Sequence, residues 1–239
     1  MADWKILASE IHSLLGLQSP PLAITFSQDP PAGVSFYQGA MPEALSDGRT
    51  GKVPAGCVFW IEATKGTFTT KPEDHGNCSV GSLTHGLKTL EEVAGNSDVA
   101  ALLETGWVTL DMVPHIATLK EKHNFVTYGP LEETSVDPDV VFLRLNGKQV
   151  MILHDAWPGL RFEGKPQCHI IAIAKEQNQP AVSVGCMLSR VRTNLPNSEM
   201  TCAIPANKLA DMVNALKTTA VADNAVATYA SSDAKRFGR

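Results

Sequence analysis

The residues with chemistry to offer are five cysteines, and three of them share a local setting. Cys78 lies in Asp74-His75-Gly76-Asn77-Cys78-Ser79-Val80-Gly81-Ser82-Leu83-Thr84-His85, where small residues open a predicted helix. Free N–H groups and the positive dipole end at a helix start favour thiolate over thiol, which makes Cys78 a candidate nucleophile or metal ligand. His75, across a glycine-containing turn, is the nearer imidazole; His85, two turns on in a continuous helix, would stand roughly 10 Å along the axis. In a metal-free enzyme with Cys78 as nucleophile, His75 or His85 would be the base and Asp74 would orient the imidazole. The plainer reading makes Asp74 and Asn77 a turn and cap, Cys78 a small buried residue and both histidines surface groups.

Cys57 repeats the arrangement in Pro54-Ala55-Gly56-Cys57-Val58-Phe59-Trp60, ahead of a helix predicted through Thr64. Cys186 does so in Val184-Gly185-Cys186-Met187-Leu188-Ser189-Arg190, where a strand runs into a turn. A residue just past the carboxyl end of a sheet strand is a common site location. Arg190, Arg192 and Glu199 form a charged patch beside Cys186. Either that patch is a solvated face, or Arg190 binds an anionic ligand or pairs with Glu199 near the thiol. Cys202 alternates within the strand-like Met200-Thr201-Cys202-Ala203-Ile204 and reads as packing. Cys168, beside His169, could ligate a metal or simply start an element, and its spacing argues for neither. The count of five therefore divides into three functional thiols and two bystanders. There is no C-x-x-C, P-loop, G-x-S-x-G or H-E-x-x-H motif, so any metal or cluster site must be assembled by the fold. Thiolate softness alone does not separate an iron–sulfur cluster from zinc.

The elements that must position these groups read as an α/β or α+β fold, a mixed sheet with helices packed on it. Trp4, Ile6, Leu7, Ile11, Leu14 and Leu15 recur at mostly helical spacing, and Gly16 stops that helix. Leu22-Ala23-Ile24-Thr25-Phe26 is a short apolar run bounded by turn residues, a buried strand. Residues 28–56 are rich in Pro, Gly, Asp and Ser and predict a long covering loop; 89–123 predict packing helices. Further strands are predicted at 125–128, 140–145 and 181–184. Two stretches, 143–151 and 202–210, each run from an apolar strand into a helix, with Pro205 suited to a first helical turn, and suggest two strand-helix half-repeats. Residues 1–230 are expected to form a single compact domain and 231–239 a loosely held tail.

Composition bounds the function. An apolar fraction of 44% with 19% charged residues excludes disordered and coiled-coil classes. A net charge of −5 without basic runs argues against nucleic acid or an anionic membrane, leaving a small-molecule ligand or substrate as the expected partner. The start carries an acid and no long apolar stretch, and no run has transmembrane length, so a cytoplasmic protein with reduced thiols is expected. Base rates for such proteins favour a homo-oligomer.

Gly56-Cys57 with Phe59, Gly66-Thr67-Phe68, His75-Gly76-Asn77-Cys78-x-x-Gly81, Gly185-Cys186-x-x-x-Arg190-x-x-Thr193, Glu199-Met200 and Ile204-Pro205, in this order, resemble the ArCR family. That is a bacterial and archaeal domain family of unknown function, and the resemblance runs from Leu17-x-x-x-Pro21 to about residue 210. It implies no reaction, but it does imply that Cys57, Cys78 and Cys186 belong to a recurring pattern. The leading expectation is a thiolate site in which these three converge, with His75 or His85 near by, and hold an iron–sulfur cluster or a single metal ion. As an enzyme, such a protein would be a metal- or iron–sulfur-dependent oxidoreductase. The Cys78 nucleophile and an anion-binding module built on Arg190 are the alternatives.

Overall fold

A computed structural model describes residues 3–39, 55–193 and 195–238, with the side chains of 192 and 193 left aside. The part of the expected 28–56 loop that spans 40–54, and the place of Arg192 in the charged patch, lie outside the described residues. Helix α1 (Trp4–Leu15) begins where Asp3 Oδ1 accepts from the Ile6 N–H at 3.1 Å and ends at Gly16, whose φ of 60° closes a left-handed cap.

Among the described residues seven strands form one mixed sheet: β1 (Leu22–Ser27), β2 (Phe68–Thr70), β3 (Phe125–Pro130), β4 (Val140–Leu145), β5 (Arg161–Glu163), β6 (Ala181–Ser183) and β7 (Met200–Pro205). Their spatial order is β2-β3-β1-β4-β7-β6-β5. Every neighbouring pair is antiparallel except β5 with β6. Central β4 is buried on both faces, which explains why it reads as a continuous apolar run instead of an alternating one. Its Val141, Leu143 and Leu145 enter one core with Cys202 and Ile204 of β7, while Val140 and Phe142 enter another with Ala203.

The first core is closed by α1, α6 (Gly147–Ala156) and the long α9 (Leu209–Arg236). A capping box starts α6: the Gln149 N–H donates to Asn146 Oδ1 at 3.0 Å and the Asn146 N–H to Gln149 Oε1 at 2.8 Å. The Gln149 amide also donates to Gly16 O at 2.7 Å, tying α6 to the end of α1. The two strand-helix stretches expected from the sequence are β4–α6 and β7–α9, on adjacent strands. Pro205 ends β7 and precedes a 3-10 turn at Ala206–Lys208, so it terminates a strand instead of sitting in the first turn of α9.

The second core carries α2 (Gly56–Glu62) and α7 (His169–Gln177), with α3 (Ser79–Thr84) and α8 (Met187–Thr193) beside them. The expected helices of 89–123 are shorter than predicted: α4 spans Leu90–Ala94 and α5 Ser97–Glu104. Past Gly106, at φ 67°, the chain is irregular but for a 3-10 turn at Val113–His115, and Leu110 is exposed. Helix α9 runs on to Arg236 with no buried residue after Leu216, so the segment expected to be a loose tail is helical to that point. Among the described residues no helix is long and apolar enough to cross a membrane.

Candidate functional site: a four-cysteine pocket

On the second face one pocket is lined by Cys57, Cys78, Cys168 and Cys186, with Trp60, Val80, Trp107, Pro166, Gln167 and Leu188 among its walls. The pocket is partly open to solvent. The four sulfurs come from four separate short elements. Cys57 is the second residue of α2, Cys78 the cap of α3, Cys168 the residue before α7 and Cys186 the residue before α8. All five cysteines are outside disulfides.

Each position has a local cause. The Cys78 sulfur accepts from the Gly81 N–H at 3.4 Å, the ordinary role of a polar cap. The following residue is clamped from α5: the Ser79 N–H donates to Asp98 Oδ2 at 2.9 Å and its hydroxyl to Oδ1 at 2.6 Å, while Asn96 donates to Ser79 Oγ at 2.8 Å. Before Cys186 the chain turns through Gly185 at φ 121°, a conformation that favours glycine, and a Cβ there would stand 2.6 Å from Arg190 Nη2 and push the guanidinium aside.

Arg190 is committed to the backbone of this turn. Its guanidinium donates to Pro196 O at 2.5 Å, Glu199 O at 2.9 Å and Val184 O at 3.1 Å, so it laces the chain around Cys186 to backbone carbonyls. The expected Arg190–Glu199 carboxylate pair does not form. The Glu199 carboxylate instead holds Arg144 in a bidentate bond, with Nε to Oε2 at 2.9 Å and Nη2 to Oε1 at 3.0 Å.

His75 and His85 are buried, not surface groups. The helix opened by Cys78 stops at Thr84, so His85 is its C-cap and the continuous-helix spacing does not apply. The chain folds back, and the two imidazoles lie 5.8 Å apart between centroids. His85 Nδ1 is 2.8 Å from Gly81 O, which only accepts; Nδ1 therefore carries the proton and Nε2 has the lone pair. Thr70 donates its hydroxyl to Val126 O, so His75 Nε2 donates to Thr70 Oγ1 at 2.9 Å and Nδ1 has the lone pair. Burial pulls His85 down to about 4, and burial together with His85 holds His75 well below the usual imidazole value. Asp74 does not orient His75: the ring bonds Thr70 through Nε2 and its Nδ1 has no partner, while Asp74 Oδ2 accepts from the Lys71 N–H at 2.8 Å. Of the three groups expected for a metal-free nucleophile, Cys78, an imidazole and Asp74, the orienting carboxylate is thus not in contact with the His75 ring.

Cys168, set aside as a bystander on its sequence, lies in the pocket with the other three. Its thiol is pushed well up by burial and by the neighbouring Cys78, Cys186 and Cys57, with the Thr84 hydroxyl offsetting part of this. The available signal was Pro166 two residues ahead and the apolar run of 170–174 behind, which together mark a helix mouth like those of the other three. Cys202 is buried in the opposite core, where burial raises its thiol, in line with a packing role. Among the described residues no three of His, Cys, Asp and Glu are grouped closely enough to hold a metal ion.

No curated protein matches the chain. No solved structure matches it either. Residues 10–215 match the family described as uncharacterised ArCR.

Proposed function

The chain belongs to the ArCR family, and we propose that within it this protein binds an iron–sulfur cluster through Cys57, Cys78, Cys168 and Cys186. The observation that carries the reading is the presence of four cysteines on the wall of one pocket, delivered by four different elements. Packing alone gives no reason for four of five thiols to share one partly open cavity. A single ion requires its ligands within about 2.3 Å of one centre. A [4Fe–4S] cluster takes one thiolate at each iron, so its ligands stand apart around a larger volume, and four cysteines is the number it needs. That donor set and the apolar walls of Trp60, Val80, Trp107 and Leu188 suit a cluster. When bound, it would supply one-electron redox chemistry. The chain's own part is to hold the four sulfurs apart, to limit water through those walls and to anchor the Cys186 turn through Arg190.

The test is purification and reconstitution of the full chain with iron and sulfide under anaerobic conditions. Visible absorption from thiolate-to-iron charge transfer and about four irons with about four labile sulfides per chain are expected. A colourless chain that retains neither would sink the proposal.

A further inference from the structure

Helix α9 outgrows the body that it closes. No buried residue follows Leu216, and ion pairs from Lys217 to Glu10 at 2.7 Å and from Lys148 to Asp223 at 3.6 Å tie the next two turns to α1 and α6. From Asn224 to Arg236 every residue but Asp233 is exposed, a projection of roughly 20 Å at 1.5 Å per residue. A free helix of that length is marginal in water, and helices are held mostly by packing of an apolar face. This one has such a face, and nothing among the described residues covers it. Ala222, Val226 and Tyr229 recur at helical steps, with Phe237 on the same side at the cap, and Val226, Tyr229 and Phe237 are 65%, 69% and 66% exposed. The other side carries Asn224, Thr228, Ser231 and Lys235 and is partly satisfied by its own backbone: Thr228 donates to Asn224 O and Ser231 to Ala227 O, both at 3.0 Å.

The charges on this segment select what covers it. Asp223 stands at its start and Lys235 and Arg236 at its end, while Asp233 is answered within the helix by Arg236 at 3.2 Å. A membrane-surface helix carries Lys and Arg along its polar face, whereas here that face is Asn, Thr and Ser with one Lys. A second copy laid antiparallel sets Asp223 of each chain against Lys235 and Arg236 of the other, twice over by the two-fold symmetry, and opposes the two helix dipoles. It also leaves the two bodies at opposite ends of the pair. A parallel copy would set like charges side by side. We propose that the projecting part of α9 pairs antiparallel with the same segment of a second copy and buries Val226 and Tyr229 in a homodimer interface. The apolar side chains supply the affinity, and the terminal charges fix the direction.

Sedimentation equilibrium of the full chain tests this, with or without a cluster in the pocket. The parent should reach twice the chain mass at about 100 μM and dissociate on dilution, as a small interface does. Val226→Lys with Tyr229→Lys should raise the dissociation constant about a hundredfold, because two charges would enter the seam. Both side chains are exposed in the single chain, so at high dilution the double variant should melt with the parent. The charges give a second, independent arm. Lys235→Glu with Arg236→Glu should weaken the dimer, and adding Asp223→Lys should restore it, a rescue that only the antiparallel pairing allows. A parent that stays a single chain at 100 μM, a dimer indifferent to the lysine substitutions, or a charge reversal that Asp223→Lys fails to rescue overturns the proposal. So does a single chain that pellets with vesicles of anionic lipid through this segment, which would give the face to a membrane.

Discussion

Gly56 lies bare against the ring of His85: a Cβ at position 56 would stand 3.3 Å from His85 Cε1 and 3.8 Å from Nε2. Two effects of Gly56→Ala oppose each other. Alanine gains up to about 1 kcal/mol as a helix former, whereas a tight contact with a fully buried ring costs about 1–3 kcal/mol. Because His85 is pinned through Nδ1 to Gly81 O, it has little freedom to yield, and the contact wins. Denaturant unfolding should show a net loss of about 1 kcal/mol, and a gain in stability would show that the ring moves freely.

The same histidine makes stability depend on pH. His85 titrates at about 4 in the folded chain and near 6.5 when unfolded, so between those values the unfolded state binds more protons. Stability is complete above about pH 6.5 and is lost as pH falls toward 4, by up to about 3 kcal/mol. His75, depressed in the same direction, adds to the loss. Melting curves from pH 7 to 4.5 should fall steeply for the parent and less steeply for His85→Gln. Parallel curves would remove His85 as the cause.

Arg190 is expected to act on stability and not on anion affinity. Arg190→Ala leaves the carbonyls of Val184, Pro196 and Glu199 without their shared donor and opens a space at Gly185. Partial exposure lets water replace some of these bonds, so a loss of about 2 kcal/mol is expected. Arg190→Lys should recover little, since one ammonium cannot reproduce a planar fork aimed at three acceptors. Thermal shifts with phosphate or sulfate should be the same in parent and variant; an anion shift abolished in Arg190→Ala would restore the ligand-binding reading.

The contrast between Cys168 and Cys202 marks what was legible in the sequence. Strands declared themselves by apolar runs, and β1, β4 and β7 lie within a residue of their expected bounds. Three pocket cysteines were visible because glycine or asparagine before each marks a junction, a signal carried by one neighbouring residue. Cys168 has no such neighbour; its place depends on α7 packing beneath the sheet beside α3, which is tertiary information. The fates of His85 and Arg190 were hidden for a similar reason. A helix that ends one residue early turns a side chain from surface to core, and a guanidinium facing carbonyls looks, in sequence, like one facing solvent.

That contrast also gives the sharpest substitution test. Cys202 is fully buried among apolar side chains of the opposite core, so Cys202→Ser places a hydroxyl where thiol packing was adequate. It should cost about 1–3 kcal/mol and leave iron content untouched. Cys168→Ser should do the reverse, with cluster-free stability close to the parent and iron and labile sulfide largely lost, because a serine is a poor substitute for a soft thiolate. Loading should also consume hydroxide. Each thiol must lose its proton to bind, and the Cys168 thiol, held protonated at neutral pH by burial and its three neighbours, releases one on coordination. Iron analysis of the two variants beside the parent decides the matter: full iron in Cys168→Ser, or its loss in Cys202→Ser, would contradict the division of the five cysteines between the two faces of the sheet.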